Sequence, residues 1–189
     1  MLPDPVIEAD EMSQTAGEKG LPHTDPDDPP RRRANKQRGH GPFDNDRPPV
    51  AGLVGRASEQ IRLRVLKHSD RAELQPFVVG KTVVKGTVNT DEWRAYEHLP
   101  ETGRERKAVC HTPGKREWAR DDDGNGIREV HCNTMEGIWT GLRNFLRPFR
   151  GVSKHFLAGY VAVFEWVHNL KRVTAHFLQA MVLCTFKVT

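Results

Sequence analysis

Between residues 17 and 49 the chain cannot build a core. The segment holds GEKG, DPDDPP, the basic run RRRANKQR and GHGPFDNDRPP. So much Pro, Gly and charge buries too little apolar surface to offset the entropy of ordering. Before it lies a short β-prone run, VIEA (6–9), closing at Asp10-Glu11. After it, apolar patterning returns in VAGLVGR (50–56) and IRLRVLK (61–67), where Ile61, Leu63 and Val65 alternate with polar residues. Period 2 is the mark of a half-buried strand. The first strand must therefore pair across a long surface loop, read as a flexible insertion over 17–49 that stays disordered.

Further along, Ser69 reads as the N-cap of a short helix over 70–78 with Leu74 and Phe77 on one face. Residues 83–91 (VVKGTVNTD) read as a strand, 92–99 as a helix, and 107–111 as another strand before the polar loop DDDGNG (121–126). Two helices are expected over 133–146 and 154–170; the tail 173–189 fits helix or strand. This order predicts one mixed α/β sheet flanked by helices, in a single domain over 1–172 followed by the tail. Trp139, Phe145, Phe156, Phe164 and Trp166 recur at helical spacing and are expected in the core.

Composition narrows the class. At 189 residues and 37% hydrophobic, the chain can bury a core. It lacks a run of ~18 uncharged apolar residues, so a membrane span is not expected. Its N-terminus lacks the basic and apolar regions of a secretory signal. Three cysteines at irregular spacing, Cys110, Cys132 and Cys184, argue for a reducing compartment and a cytoplasmic location. Residues 1–50 carry seven Lys/Arg against ten Asp/Glu, a net of −3, while residues 137–189 carry seven against the single acid Glu165, a net of +6. A basic C-terminal part is compatible with a polyanionic partner.

Three acids sit where elements end or begin: Asp10, Asp91 and Glu136. Clustered carboxylates repel unless a cation holds them, so a hard ion such as Mg²⁺ or Mn²⁺ is their natural partner. Two such ions can clamp the attacking and leaving oxygens of a phosphoryl displacement. Other readings stand beside this one. Asn133 and Glu136 are spaced as a capping box, and Asp91 could cap the helix after it. Cys110-His111 and His131-Cys132 lack CxxC-type spacing and are read as unconnected side chains rather than a zinc site.

The residues around the acids carry a resemblance. NTDEWRAY (89–96), HCNTMEGIWTGLRNFLR (131–147) and GVSKHFLAGYVAVFEWVHN (151–169), in that order, with VIEADEM (6–12) and GEK (17–19) at the front, resemble bacterial insertion-sequence transposases of the DDE group related to Merlin elements. The resemblance implies an RNase H-like fold and a two-metal site of Asp10, Asp91 and Glu136 acting as catalytic and metal-binding triad. It implies Arg143, seven residues after Glu136, as a DNA-binding residue, with His131 and Asn133 as secondary candidates. Arg31, Arg32 and Arg33 are further candidates for phosphate contact. The implied activity is metal-dependent cleavage of DNA at transposon ends and strand transfer into target DNA, by an oligomer associated with the nucleoid. Cys132, Met135 and Arg143 stand where Thr, Ile and Lys are common in the family. Relatives carry a zinc ribbon or other DNA-binding module ahead of the first Asp, and nine residues precede Asp10 here. A stand-alone nuclease or an inactive truncated copy is the alternative.

Overall fold

The computed structural model describes residues 1–20, 27, 41–111, 114–170 and 179. Five strands form one sheet: β1 (Val6–Ser13), β2 (Pro49–Gly55), β3 (Ile61–Val65), β4 (Thr87–Thr90) and β5 (Glu105–Ala108). Their order is β3-β2-β1-β4-β5. The pairs β1–β2 and β2–β3 are antiparallel, while β1–β4 and β4–β5 are parallel. Helices α1 (Arg71–Lys81), α2 (Asn133–Leu146) and α3 (Leu157–Leu170) flank the sheet. This is the mixed sheet flanked by helices that the element order predicts, in the RNase H-like form that the resemblance implies.

Alternation along β1 and β2 divides the core in two. Ile7, Ala9, Ala51 and Leu53 join Leu74, Phe77, Tyr96 and Leu99 on one face. Met12, Val50 and Val54 join Met135, Trp139, Leu142, Leu157 and Val161 on the other. The second face carries α2 so closely that β2 needs a glycine: a Cβ on Gly52 would run into Met135 and the ring of Trp139. Gly52 pairs with Asp10 across β1–β2, so this close approach lies beside the first of the three acids.

Strand β3 is an outer strand, and α3 blunts it. Its Ile61 N–H donates to Asn169 Oδ1 at 2.9 Å, Asn169 Nδ2 donates back to Ile61 O at 3.1 Å, and Leu63 N–H donates to Glu165 Oε2 at 2.6 Å. Side chains of a helix thus occupy backbone groups that would otherwise template another strand.

Several local expectations change. The α1 N-cap is Asp70, not Ser69; its carboxylate accepts from Glu73 N–H at 3.1 Å, and the helix runs to Lys81. Residues 92–102 hold two 3₁₀ segments, Arg94–Tyr96 and Leu99–Thr102, rather than one helix over 92–99, with Trp93 and Tyr96 bonded to Ser69 O and Glu11. Strand β1 continues through Asp10 and Glu11, and β5 begins at Glu105, earlier than expected. Phe156 and Trp166 are 58% and 54% exposed, so they are not core residues. The ends of the 17–49 insertion are built into the fold. Gly17 bridges Ser153, and Lys154, 6% exposed, pairs at 3.3 Å with both Glu18 and the buried Asp46. Phe43–Asn45 is a 3₁₀ turn. The candidates Arg31, Arg32 and Arg33, and all of the tail except residue 179, lie outside the described residues.

Replacing Gly52 by Val should overpack the Met135–Trp139 contact and cost about 1–3 kcal/mol, read as a lower midpoint of urea unfolding with unchanged slope. An unchanged midpoint would show that α2 does not rest on β2 as described.

Candidate active site

The parallel pairing of β1 with β4 runs Val6↔Thr87, Ile7↔Val88, Glu8↔Asn89. Asp10 lies two residues past the last pair on β1, on the face that α2 covers, and Asp91 follows β4 directly, close enough for its charge to act on both Asp10 and Glu11. Asp10 is held by Trp139, whose indole Nε1 donates to Oδ2 at 2.7 Å. Burial pushes its carboxyl up to about 6, against the Trp139 hydrogen bond; the charges of Asp91 and Glu136 push the same way as burial. The three sequence-predicted acids therefore share one electrostatic neighbourhood. Their separations are wider than those of Asp121, Asp123 and Glu129 in the loop after β5, where one carboxylate oxygen from each lies within 4.8 Å of the others.

Asp91 closes β4 in a turn. One carboxylate oxygen, Oδ1, accepts from Trp93 N–H at 2.9 Å, so the cap expected from the sequence is a single bond to a turn amide. From β5, Arg106 fixes the backbone there, donating to Asp91 O at 2.8 Å and Thr90 Oγ1 at 2.9 Å. Trp93 Nε1 donates to Ser69 O at 2.8 Å. Tyr96 reaches the other sheet face and donates its hydroxyl to Glu11 Oε2 at 2.7 Å. Burial, then the charges of Asp91 and Asp10, raise the Glu11 carboxyl to about 8 against that hydrogen bond. Burial first, and Glu11 next, raise the Tyr96 hydroxyl well above its usual value.

Glu136 stands in the first turn of α2 and is exposed. It does not close a capping box with Asn133: Asn133 N–H donates to His131 Nδ1 at 3.4 Å and Glu136 N–H to Cys132 O at 3.2 Å, while the amides of Thr134 and Met135 are taken by Glu8 of β1, at 2.9 and 3.1 Å. Seven residues on, Arg143 shares its face. Both border an open pocket of about 530 Å³ together with Asp10, Glu11, Met12, Ser13, Arg47, Trp139 and Thr140. His131 sits back from this pocket with Nδ1 3.2 Å from Glu8 Oε1; burial, then Arg56, lower its pKa, with Glu8 opposing. Asn133 is exposed at the α2 N-terminus. Cys110 and Cys132 are not joined in a disulfide, and Cys132 is buried.

Sequence reasoning missed three residues here. Arg47 lay inside the segment read as a flexible loop. Trp139 read as core alone, although its indole N–H needs a partner when buried and finds Asp10. Glu8, fully buried, was one of several acids in VIEADEM with nothing to mark it.

Residues 21–169 match the ISXO2-like transposase domain. The chain belongs to that transposase family. Asp91, Glu136 and Arg143 fall inside the matched span; Asp10 precedes it. Over 160 residues the chain is 32% identical to an uncharacterized protein in transposable element ISH50 of Halobacterium salinarum, covering 84% of this chain and 50% of that protein, so it spans about half that relative's length. Among solved structures, a chain of the simian T-cell lymphotropic virus intasome in complex with PP2A regulatory subunit B56 gamma superposes with a TM-score of 0.52 at 13% identity, over 93% of this chain and 51% of that chain. The HTLV-2 integrase catalytic core domain in complex with magnesium, in its dimeric form, gives a TM-score of 0.45 at 13% identity, over 88% of this chain and 85% of its own. Among the described residues no helix is long and apolar enough to cross a membrane.

Glu11 supplies a pH test. A carboxyl raised from its usual 4.5 to about 8 on folding stabilises the fold fully below 4.5, and that contribution is lost as pH rises to about 8. In chelator, Glu11→Gln should therefore flatten the fall in Tm between pH 5 and 9. The variant's advantage should be greatest above pH 8, on the order of a few kcal/mol. Parallel Tm curves for both proteins would refute the buried, proton-holding Glu11.

Proposed function

We propose that this chain is the catalytic domain of an insertion-sequence transposase, cleaving DNA phosphodiesters and transferring the resulting 3′-hydroxyl ends to target DNA. The reading rests on Asp91 and Glu136, whose charges both raise the cost of ionising Asp10, and on Asp10, Glu136 and Arg143 lining one pocket, in a chain of the transposase family.

The donor set suits a hard divalent cation. One oxygen each of Asp10 and Asp91 is already oriented by an N–H, and their charges oppose one another. Mg²⁺ or Mn²⁺ held by them, as one ion or a pair, would supply Lewis-acid polarisation of the scissile phosphate. The chain's own groups do the rest. Trp139 and Trp93 N–H fix the two aspartates, and Arg106 holds the turn from which Asp91 projects. Glu136 approaches from α2 across the pocket. Arg143 and Arg47, bordering that pocket, are placed to take phosphate oxygens on either side of the reacting group, Arg47 adding to the contacts implied by sequence. DNA as partner, self-association on paired ends and a place at the nucleoid follow from the same reading.

Purified protein should nick supercoiled plasmid in Mn²⁺, with loss of at least about 10²-fold in Asp91→Asn and complete loss in EDTA. Joining of a pre-cut 3′ end to plasmid separates a transposase from a nuclease. Nicking that persists in Asp91→Asn overturns the assignment of that residue. A folded wild-type protein without nicking overturns the activity.

Removing positive charge at Arg47 and Arg143 tests the phosphate contacts separately. Each Ala variant should weaken DNA binding and reduce the slope of log K against log salt by about one. An unchanged slope in either variant removes that arginine from the interface.

A further inference from the structure

The geometry points to Glu8 as a positioning residue that sets Glu136 against Asp10. The inference rests on the triad reading above. Glu8 lies two residues before Asp10 on the same face of β1, and its side chain is 0% exposed. A buried carboxylate must be paired and hydrogen-bonded to be tolerated, and here every partner belongs to, or holds, the start of α2. Oε2 accepts from Thr134 N–H at 2.9 Å and Met135 N–H at 3.1 Å; Oε1 accepts from Thr134 Oγ1 at 2.8 Å. Arg56, just beyond β2, donates Nε to Oε1 at 3.1 Å. The same guanidinium donates Nη1 to Glu129 O and Nη2 to His131 O at 3.0 Å, gripping the segment that leads into the helix.

Helix α2 thus takes its cap from another strand. Its own N-cap residue, Cys132, supplies no side-chain cap bond. Unpaired first-turn amides and the positive end of the helix dipole favour a negative group at that position, and Glu8 provides it from β1. Because Glu8 and Asp10 are i and i+2 on one strand, and Met135 adjoins Glu136, one carboxylate fixes the span between two members of the triad. Misplacement by about 1 Å is costly where several groups must converge.

Glu8→Gln keeps the size but turns an amide NH₂ either toward the Thr134 and Met135 N–H groups or toward Arg56 Nε, donors from which it cannot accept, so at least one bond to α2 or Arg56 is lost. Three readouts test the role: Mn²⁺ affinity by calorimetry, the Mn²⁺ dependence of plasmid nicking, and hydrogen exchange at residues 134–137. Asn169→Ala, which loosens α3 from β3 far from the acids, controls for general destabilisation. Glu8→Gln should weaken Mn²⁺ binding about tenfold and raise half-saturating Mn²⁺ equally, with nicking largely restored at high Mn²⁺ and faster exchange at 134–137. Asn169→Ala should leave Mn²⁺ affinity unchanged. Where Glu8→Gln does not fold, Arg56→Lys, which keeps the charge but loses the paired carbonyl contacts, should show the same shift in smaller measure.

A folded Glu8→Gln with lower Tm but wild-type Mn²⁺ affinity makes Glu8 a cap alone and overturns the inference. So does an equal loss of affinity in Asn169→Ala, or a folded Arg56→Lys with wild-type affinity when Glu8→Gln does not fold. Wild-type protein that binds no Mn²⁺ overturns this inference together with the triad reading; wild type that binds and nicks, beside an indistinguishable Glu8→Gln, overturns only this one.

Discussion

The acidic end of the molecule depends on the parallel pairing of β1 with β4. Three residues in register, Val6 to Glu8 against Thr87 to Asn89, align two strands that lead to Asp10 and Asp91. A slip of one residue would turn the side chains of β4 to the opposite sheet face. Hydrophobic alternation resists that slip: Ile7 and Val88 must both stay in the core beneath α1, with Tyr96 and Leu99. The packing that holds the register is therefore also what brings like charges together. Stability favours the alignment through apolar burial and opposes it through repulsion: burial is the larger cause of the upward shift of the Asp10 carboxyl, and the charges of Asp91 and Glu136 add to it.

Strand β1 carries its acids in three different states. Glu8 is enclosed by donors from α2 and Arg56. Glu11 points to the other face, where one tyrosine hydroxyl does not offset burial, and its carboxyl holds a proton to about pH 8. Asp10, between them, has one indole donor and an open pocket beside it. Glu8 has its partners within the protein and Glu11 borders the pocket with its carboxylate bonded to Tyr96, whereas Asp10 lines the pocket from the α2 face beside Glu136. Alternation along a strand is enough to create this division, since it sends 8 and 10 one way and 11 the other.

Much of this was legible in the sequence. Returning apolar patterning located β2, period-2 alternation located β3, and the run from Asn133 to Leu146 gave α2 its observed bounds. Motif order named Asp10, Asp91, Glu136 and Arg143, of which three border one pocket and the fourth acts on Asp10 through its charge. What stayed hidden depends on long-range partners. Residues 92–99 carry helical composition, but the chain there is pinned by Trp93 to Ser69 O and Tyr96 to Glu11, which a straight helix need not satisfy. Phe156 and Trp166 fit a buried periodicity, yet α3 meets β3 through Glu165 and Asn169 and leaves them outside. Glu8 is indistinguishable from its acidic neighbours until α2 is set against β1. Propensity is local, whereas a buried charge is explained by what meets it.

The insertion after β1 follows the same logic. Its composition excludes a core, but both ends are fastened where the fold needs them. Lys154 of the GVSK segment, buried against Glu18 and Asp46 and lying over the Phe43 ring at 5.4 Å, joins the departing and returning strands of the insertion to the turn between α2 and α3. Asp46 takes a left-handed backbone conformation there, φ 57°, and the next residue, Arg47, enters the pocket beside Asp10. A lysine eighteen residues beyond Glu136 thereby fixes the approach of an arginine to the other side of the site. The GVSK motif, read from sequence as the prelude to a helix, acts as the clasp that brings the returning end of the insertion to the carboxylates.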